Sequence, residues 1–216
     1  MTGSFPVDKL LTFDTPFYYY DMSVLRRCLD AVCRYKGEVT VHYAVKACAT
    51  EQVLRQIAAY GLGADCVSGG EIRAAIEAGF PPDKIVFAGV AKSDEEIKYA
   101  LAQGIYCFNV ESLPELQVID ALAGEMNQRA RVCLRVNPNI DAHTHAKITT
   151  GMQENKFGIA LEQLTDAVTD AREMKHIDFI GLHFHIGSQI TDLSVFRQLA
   201  EKAKEIAEVI HPEVVN

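Results

Sequence analysis

The feature that most constrains this chain is a repeated order: a short apolar stretch typical of a strand, then an amphipathic stretch with helical spacing. Six such units follow one another, with strands expected at 41–46, 63–67, 85–88, 105–110, 131–136 and 179–186. Strands that alternate with helices predict a parallel sheet with crossover helices. The sheet can be open and doubly wound, or it can be a (β/α)8 barrel, which takes about 250 residues. No G-x-G-x-x-G follows the first strand, so the dinucleotide-binding form of the open sheet lacks its fingerprint.

Six strands are fewer than a closed barrel needs. We therefore expect an α/β fold of incomplete barrel type, from a chain truncated at its C-terminal end, with no seventh strand after the last helix. Residues 1–20 are expected to be a lead-in that ends in a β-rich run at 17–20. Residues 21–216 are expected to form the incomplete barrel.

Charge and composition narrow the range of partners. The net charge is −8, whereas nucleic acid and anionic membranes attract basic surfaces, so we expect neither as the main partner. No apolar window approaches the ~18 residues of a membrane span, and the first residues lack a signal-peptide pattern. The six cysteines form no C-x-x-C pair, which predicts a reduced, cytoplasmic protein without structural zinc or a disulfide framework.

A lysine ends the first predicted strand. Strand alternation places His42, Ala44 and Lys46 on one face. In a barrel that face points inward and brings Lys46 to the carboxyl-terminal mouth, where barrel active sites form. Lys46 is then either a strand-end lysine whose ammonium reaches water, or an amine that forms a Schiff base with a carbonyl compound.

Later strands carry further polar residues. His183 and His185 lie two apart on the sixth predicted strand, where a metal pair, an imidazole stacked on a planar cofactor and a buried core histidine are all compatible with the pattern. No third ligand with metal spacing accompanies them, so we expect no metal site. Ser188 follows a glycine and offers a hydroxyl suited to a phosphate. Arg135 is expected to point inward and to pair with Asp65, because an inward arginine is costly unless it is paired.

A polar excursion at 137–157 follows the fifth strand and contains His143 and His145. It is too long for a plain connection, and loops of this length are often lids or binding loops. The two histidines can equally be surface residues without a role.

Several segments together resemble one enzyme family, that of the diaminopimelate decarboxylases. These are fold-type III pyridoxal-phosphate enzymes, related to ornithine and arginine decarboxylases, with the (β/α)8 TIM barrel of alanine racemase. The resemblance rests on Tyr43-Ala44-Val45-Lys46-Ala47, Gly63-Ala64-Asp65, Ser68-Gly69-Gly70-Glu71, Phe108-Asn109-Val110-Glu111-Ser112, Leu134-Arg135-Val136-Asn137-Pro138, Thr150-Gly151, Lys156-Phe157-Gly158-Ile159 and 181–189. One departure is Cys48, where family members usually carry asparagine.

The resemblance implies an activity and a site. The reaction would be decarboxylation of meso-2,6-diaminopimelate to L-lysine and CO2, the last step of lysine biosynthesis, with pyridoxal 5'-phosphate as cofactor. Lys46 would be the catalytic Schiff-base lysine, His185 would stack on the cofactor ring and Ser188 would bind its phosphate. Asp65 and Arg135 would support the site. The excursion, with His143, His145, Thr150 and Gly151, would lie over the substrate.

The resemblance also implies what lies outside the chain. The glycine-rich phosphate loop, the acidic partner of the pyridine nitrogen and a C-terminal β domain would follow residue 216, and residues 1–20 would join that domain. A homodimer acting on a small-molecule substrate is implied for the full-length protein. The 216 residues alone are expected to bind the cofactor weakly and to show negligible turnover. The alternatives are a decarboxylase of another basic amino acid and a non-catalytic pyridoxal-phosphate-binding barrel.

Overall fold

The strands form one parallel sheet in chain order. The computed structural model describes residues 5–140, 157–188 and 190–216. The seven strands in this part of the chain are β1 (His42–Ala44), β2 (Gly63–Cys66), β3 (Ile85–Phe87), β4 (Cys107–Val110), β5 (Ala130–Val136), β6 (Ile177–Phe184) and β7 (Val214–Val215). Each strand pairs in parallel with the next one along the chain. A doubly wound sheet reverses its strand order at a switch point, so this unbroken order favours the barrel.

Helices connect the strands. They are α1 (Val7–Leu10), α2 (Met22–Tyr35), α3 (Glu51–Ala59), α4 (Gly69–Glu77), α5 (Asp94–Gln103), α6 (Leu113–Glu125), α7 (Leu161–Glu173) and α8 (Leu193–Ile210), with 3-10 turns at Val45–Ala47 and Pro82–Lys84. An S-x-x-E pattern begins α4, α5 and α6, where Ser68, Ser93 and Ser112 accept a hydrogen bond from the backbone N–H three residues on. Of the helices in the described ranges, none is long and apolar enough to cross a membrane.

Apolar side chains separate into two layers because strand residues alternate between the two faces of the sheet. The larger layer packs between the sheet and its helices. The smaller layer lies on the opposite, concave face, which we call the lumen, and consists of Val86, Cys107, Cys133 and Ile180. A hydrogen bond with Cys107, followed by burial, raises the pKa of the Cys133 thiol, so Cys133 acts as a small apolar side chain rather than as a nucleophile.

The six predicted strands are present, but the structure differs from the prediction in several details. The chain after α8 does reach a seventh strand, the two-residue β7. Gly181 permits it, because a Cβ there would collide with the backbone of Val214. The β-rich run at 17–20 is not a strand, and β6 ends at Phe184 rather than at residue 186.

Candidate functional site

Lys46 lies beyond β1 rather than within it. The strand ends at Ala44, and the next three residues form a 3-10 turn closed by the bond from Cys48 N–H to Val45 O. Strand alternation therefore does not set the direction of the Lys46 side chain, which is exposed at the carboxyl end of the sheet. The predicted location at the lumen mouth is nevertheless where the lysine lies.

Asp65 lies on the neighbouring strand, next to Lys46. Its register partner is Ala44, two residues before the lysine. Its Oδ1 is buried and accepts no hydrogen bond from the residues that the structure describes. Burial raises the pKa of Asp65 to about 6, although the positive charge of Lys46 opposes the rise. The carboxyl group therefore titrates close to neutral pH at the site.

Arg135 has a different partner from the one predicted. Its Nη1 donates to Glu111 Oε2 at 2.6 Å, and both side chains are buried. Arg135 lies in β5, and Glu111 directly follows β4, the strand next to β5. Asp65 lies in β2, two strands further from Arg135 than β4 is. In the β4–β5 pair Val110 lies beside Leu134, so the next residues along, Glu111 and Arg135, come together. The prediction of Asp65 as the partner was therefore wrong.

A second buried ion pair, which the sequence analysis missed, lies beside the first. Lys92 Nζ donates to Gly89 O at 2.7 Å, to Asn109 O at 2.9 Å and to Glu115 Oε1 at 2.7 Å. Only 1% of the Lys92 side chain is exposed. Burial raises the pKa of Glu115, while Lys92 lowers it. The signal that could have found Lys92 is its location, because it follows β3 shortly before the Ser93 cap, much as Lys46 follows β1.

The two histidines of β6 are separated. His183 lies in the strand opposite Arg135, and its Nδ1 is buried without a hydrogen-bond partner among the described residues. Burial, followed by the charge of Arg135, lowers the pKa of His183 to about 3, so its ring is neutral at physiological pH. His185 lies beyond the strand end and is exposed. Strand alternation therefore sets the direction of the His183 side chain but not that of His185, so the prediction that both face the same way is not supported.

The remaining predicted residues lie at or beyond the edge of the described structure. Ser188 is exposed and follows Gly187, whose φ of +120° is one that glycine adopts easily. His143, His145, Thr150 and Gly151 lie outside the described residues. Within the described ranges, no group of three or more histidine, cysteine, aspartate or glutamate side chains could hold a metal ion.

The groups at this end of the sheet fit the cofactor that the resemblance implies. Pyridoxal phosphate combines an aldehyde, a flat aromatic ring and a phosphate. Lys46 offers an amine for the first, His185 a ring for the second and Ser188 a hydroxyl for the third. Two buried polar atoms, Asp65 Oδ1 and His183 Nδ1, still lack partners there, and a polar ligand would satisfy them.

Sequence comparison places this geometry in a known context. The sequence model of the family described as pyridoxal-dependent decarboxylase, pyridoxal binding domain, matches residues 22–215. Diaminopimelate decarboxylase of Bacteroides thetaiotaomicron is 56% identical over 210 residues, which are 95% of this chain and 54% of that protein. The enzyme of the same name from Aquifex aeolicus is 39% identical over 91% of this chain and 47% of its own length. The chain thus spans about half the length of the curated relatives it matches.

Two solved structures of decarboxylases have a fold similar to that of this chain. Diaminopimelate decarboxylase from Helicobacter pylori, an I148L mutant complexed with L-lysine, superposes with a TM-score of 0.88 at 37% identity, covering 94% of this chain and 52% of that one. The arginine decarboxylase of Paramecium bursaria Chlorella virus gives a TM-score of 0.71 at 25% identity, covering 86% and 47%. The predicted barrel-type fold, in which this chain forms only part of the barrel, is confirmed.

Proposed function

We propose, from the premise that this chain belongs to the pyridoxal-dependent decarboxylase family and carries its pyridoxal binding domain, that the protein decarboxylates meso-2,6-diaminopimelate to L-lysine and CO2. The observation that carries the proposal is Lys46 at the carboxyl end of β1 beside Asp65, in a chain that is similar to two proteins named diaminopimelate decarboxylase. The pairing of an amine with a buried carboxyl group at a barrel mouth suits chemistry on an amino-acid substrate.

Pyridoxal phosphate, when bound, supplies an electron-accepting ring for the electrons that remain when CO2 leaves. Lys46 Nζ would hold the cofactor through its aldehyde, and as a free amine it would carry a proton within reach of the substrate. Asp65, with a pKa of about 6, is largely ionised at pH 7 and stabilises the positive charge of Lys46.

Other residues are proposed to bind and orient the cofactor and the substrate. We propose that His185 stacks on the cofactor ring, that Ser188 binds the phosphate and that Arg135 donates to an anionic oxygen of the cofactor or substrate. His143, His145, Thr150 and Gly151 are proposed to lie over the substrate. Residues 1–20 are proposed to be a lead-in that packs against a further β domain, and 21–216 to be part of the barrel.

The proposal also covers the cellular location and the oligomeric state of the protein. The six cysteines are free, which supports a reducing, cytoplasmic location. A homodimer is proposed for a chain as long as the curated relatives. For the 216 residues alone we propose weak cofactor binding and negligible turnover. Among the strands that the structure describes, β1 pairs only with β2 and β7 only with β6. This supports the proposal, because a sheet that does not close leaves its lumen open to water.

A substrate panel tests this function. A chain as long as the relatives, loaded with pyridoxal phosphate, should release CO2 from meso-diaminopimelate faster than from L-arginine, L-ornithine or L-lysine, and Lys46→Ala should abolish release. Faster release from arginine would favour the second candidate, a decarboxylase of another basic amino acid. That candidate is supported by the likeness to the viral arginine decarboxylase. Cofactor binding without release from any of them would favour a non-catalytic barrel.

A further inference from the structure

Arg135 is a candidate ligand-binding residue whose side chain is held by a second residue. We propose that Glu111 is a positioning residue, which fixes the Arg135 guanidinium so that its remaining N–H groups point at an anionic oxygen of the cofactor or substrate. This inference rests on the proposed function, because it takes Arg135 to contact a bound ligand. Neither the resemblance nor the family match assigns a role to Glu111.

The contact between the two side chains has the geometry of a strong, charge-assisted hydrogen bond. Arg135 Nη1 and Glu111 Oε2 are 2.6 Å apart, with side-chain exposures of 9% and 5%. A buried guanidinium without a counter-charge is costly, and Glu111 is the acidic partner that Arg135 meets. The bond uses one donor of a planar fork that carries five, and fixing one donor fixes the direction of the others.

Glu111 is itself held firmly. Its other carboxylate oxygen, Oε1, accepts a hydrogen bond from Gly89 N–H at 3.3 Å. Its own backbone N–H donates to Glu115 Oε2 at 3.0 Å, and the second oxygen of Glu115 accepts from Lys92. The chain of contacts Lys92–Glu115–Glu111–Arg135 therefore joins the loop after β3, the start of α6 and strand β5.

The charges in this chain of contacts balance. The two cations, Lys92 and Arg135, each have a carboxylate partner within 2.7 Å. Arg135 therefore brings directed hydrogen-bond donors to the lumen without adding net charge. Such an arrangement favours recognition of one oxygen at a fixed place over general attraction of anions.

Three neighbouring residues also pack against Arg135, on the face of its guanidinium, its side-chain stem and its backbone. The Phe157 ring centre lies 5.8 Å from the guanidinium carbon. Gly158 packs so closely that a Cβ there would lie 3.0 Å from Arg135 O and 3.2 Å from Arg135 Cγ. Ile159 N–H donates to Arg135 O at 2.7 Å. With Glu111, Phe157 and Gly158 around it, the guanidinium is constrained before any ligand binds.

A purely structural ion pair would show the same contacts, so the test must separate positioning from stability. Pyridoxal phosphate is titrated into a chain as long as the curated relatives and trapped with borohydride. The Lys46 adduct is then quantified by mass spectrometry at each concentration. The variants are Glu111→Gln, Arg135→Gln and the double variant, with thermal unfolding recorded for each. Glu125→Gln is the matched control, because it breaks the exposed Lys98–Glu125 pair.

If Glu111 acts through Arg135, Glu111→Gln raises the concentration of pyridoxal phosphate needed for half-maximal labelling by about tenfold. Loss of an outer partner of a ligand-binding residue typically has an effect of this size. In the Arg135→Gln background the same change has no further effect on labelling, and Glu125→Gln has none at all. Should Glu111→Gln fail to fold, Glu111→Asp keeps the charge but withdraws it by one methylene, and the same loss of labelling is expected.

The outcomes are distinguishable. If the wild-type chain is labelled at Lys46 and neither Glu111→Gln nor Glu111→Asp changes that labelling, the positioning role alone is overturned. The same holds if Glu111→Gln has an equally large effect with and without Arg135. Absence of any Lys46 adduct in the wild-type chain overturns the cofactor site of the proposed function, and this inference with it.

Discussion

Lys92 Nζ lies 2.7 Å from Glu115 Oε1, in a pocket where only 1% of the lysine side chain and 13% of the glutamate side chain reach solvent. All three N–H donors of Lys92 are used, two of them on backbone carbonyl groups of different segments. This lysine therefore ties the loop after β3 to the end of β4 and to the start of α6.

Lys92→Met is expected to lower the free energy of unfolding by about 3 kcal/mol, because it leaves the Glu115 carboxylate buried without its counter-charge. Chemical denaturation measures the loss. Lys98→Met is the control, since Lys98 and its partner Glu125 are exposed and an exposed pair contributes little to stability. Equal losses in the two variants would contradict the role of Lys92.

Asp65 is expected to make the protein less stable as the pH rises from about 4 to 6. Its folded pKa of about 6 lies above the ordinary 3.8, so in this window the folded state binds more protons than the unfolded state. Asp65→Asn removes that penalty and should stabilise the fold above pH 6 by about 1–3 kcal/mol. The difference from wild type should vanish below pH 4 in urea unfolding series. A gain that is the same at pH 4 and pH 7 would refute this cause.

His183 is expected to act in the opposite direction. Its folded pKa of about 3 lies below the ordinary 6.5, because of burial and of the charges of Arg135, His185 and Lys92. The unfolded state therefore binds more protons between pH 3 and 6.5, and stability falls as the pH drops below 6.5, by at most ~1.4 kcal/mol per pH unit.

His183→Phe should flatten the acid side of the stability profile, and Asp65→Asn should steepen it, because the two groups offset one another in the wild-type protein. Urea unfolding at half-unit pH steps resolves both slopes. His176→Phe is a useful control, since His176 lies away from the lumen mouth, next to Asp120. A wild-type slope retained in His183→Phe would count against a neutral buried ring.

Gly158→Ala is expected to cost more stability than Gly104→Ala. Both glycines have positive φ, +84° and +65°, which costs other residues about 1 kcal/mol. A Cβ at Gly104 meets nothing within 4 Å, whereas at Gly158 it meets the backbone and side chain of Arg135. Gly158→Ala should also weaken cofactor trapping at Lys46, because the displaced atoms belong to Arg135. Equal costs and unchanged trapping would contradict this packing.

The order of elements could be predicted from the sequence because each unit carries its own local signals. The S-x-x-E starts of α4, α5 and α6 and the apolar runs of β2 to β6 depend on neighbours in the chain. β7 was missed because two residues show no periodicity, and what admits the strand is the absence of a side chain at Gly181. The residue that allows β7 to form therefore lies in β6, so the sequence of β7 itself gives no sign of the strand.

The site was predicted less well, for a related reason. Lys46, Asp65 and Arg135 were placed at the correct end of the sheet because parallel strands share a carboxyl edge. Their partners depend on register between strands, which sequence spacing does not contain. The location of Lys92 after β3 is visible in the sequence, but its partners are not, and the pairing of Glu111 with Arg135 follows from the β4–β5 register. The roles of His185 and Ser188 stay predictions.

Strand order that equals chain order has a consequence for how the molecule forms. Every strand pairs with its predecessor, so the sheet can grow by adding one unit at a time as the chain leaves the ribosome. Loop-closure entropy rises slowly with length, and each added unit closes a loop of modest size. The largest closure joins β5 to β6 across the excursion, and that step brings His183 beside Arg135. We therefore expect β6 to join the sheet after the Lys92–Glu115 and Glu111–Arg135 pairs have formed.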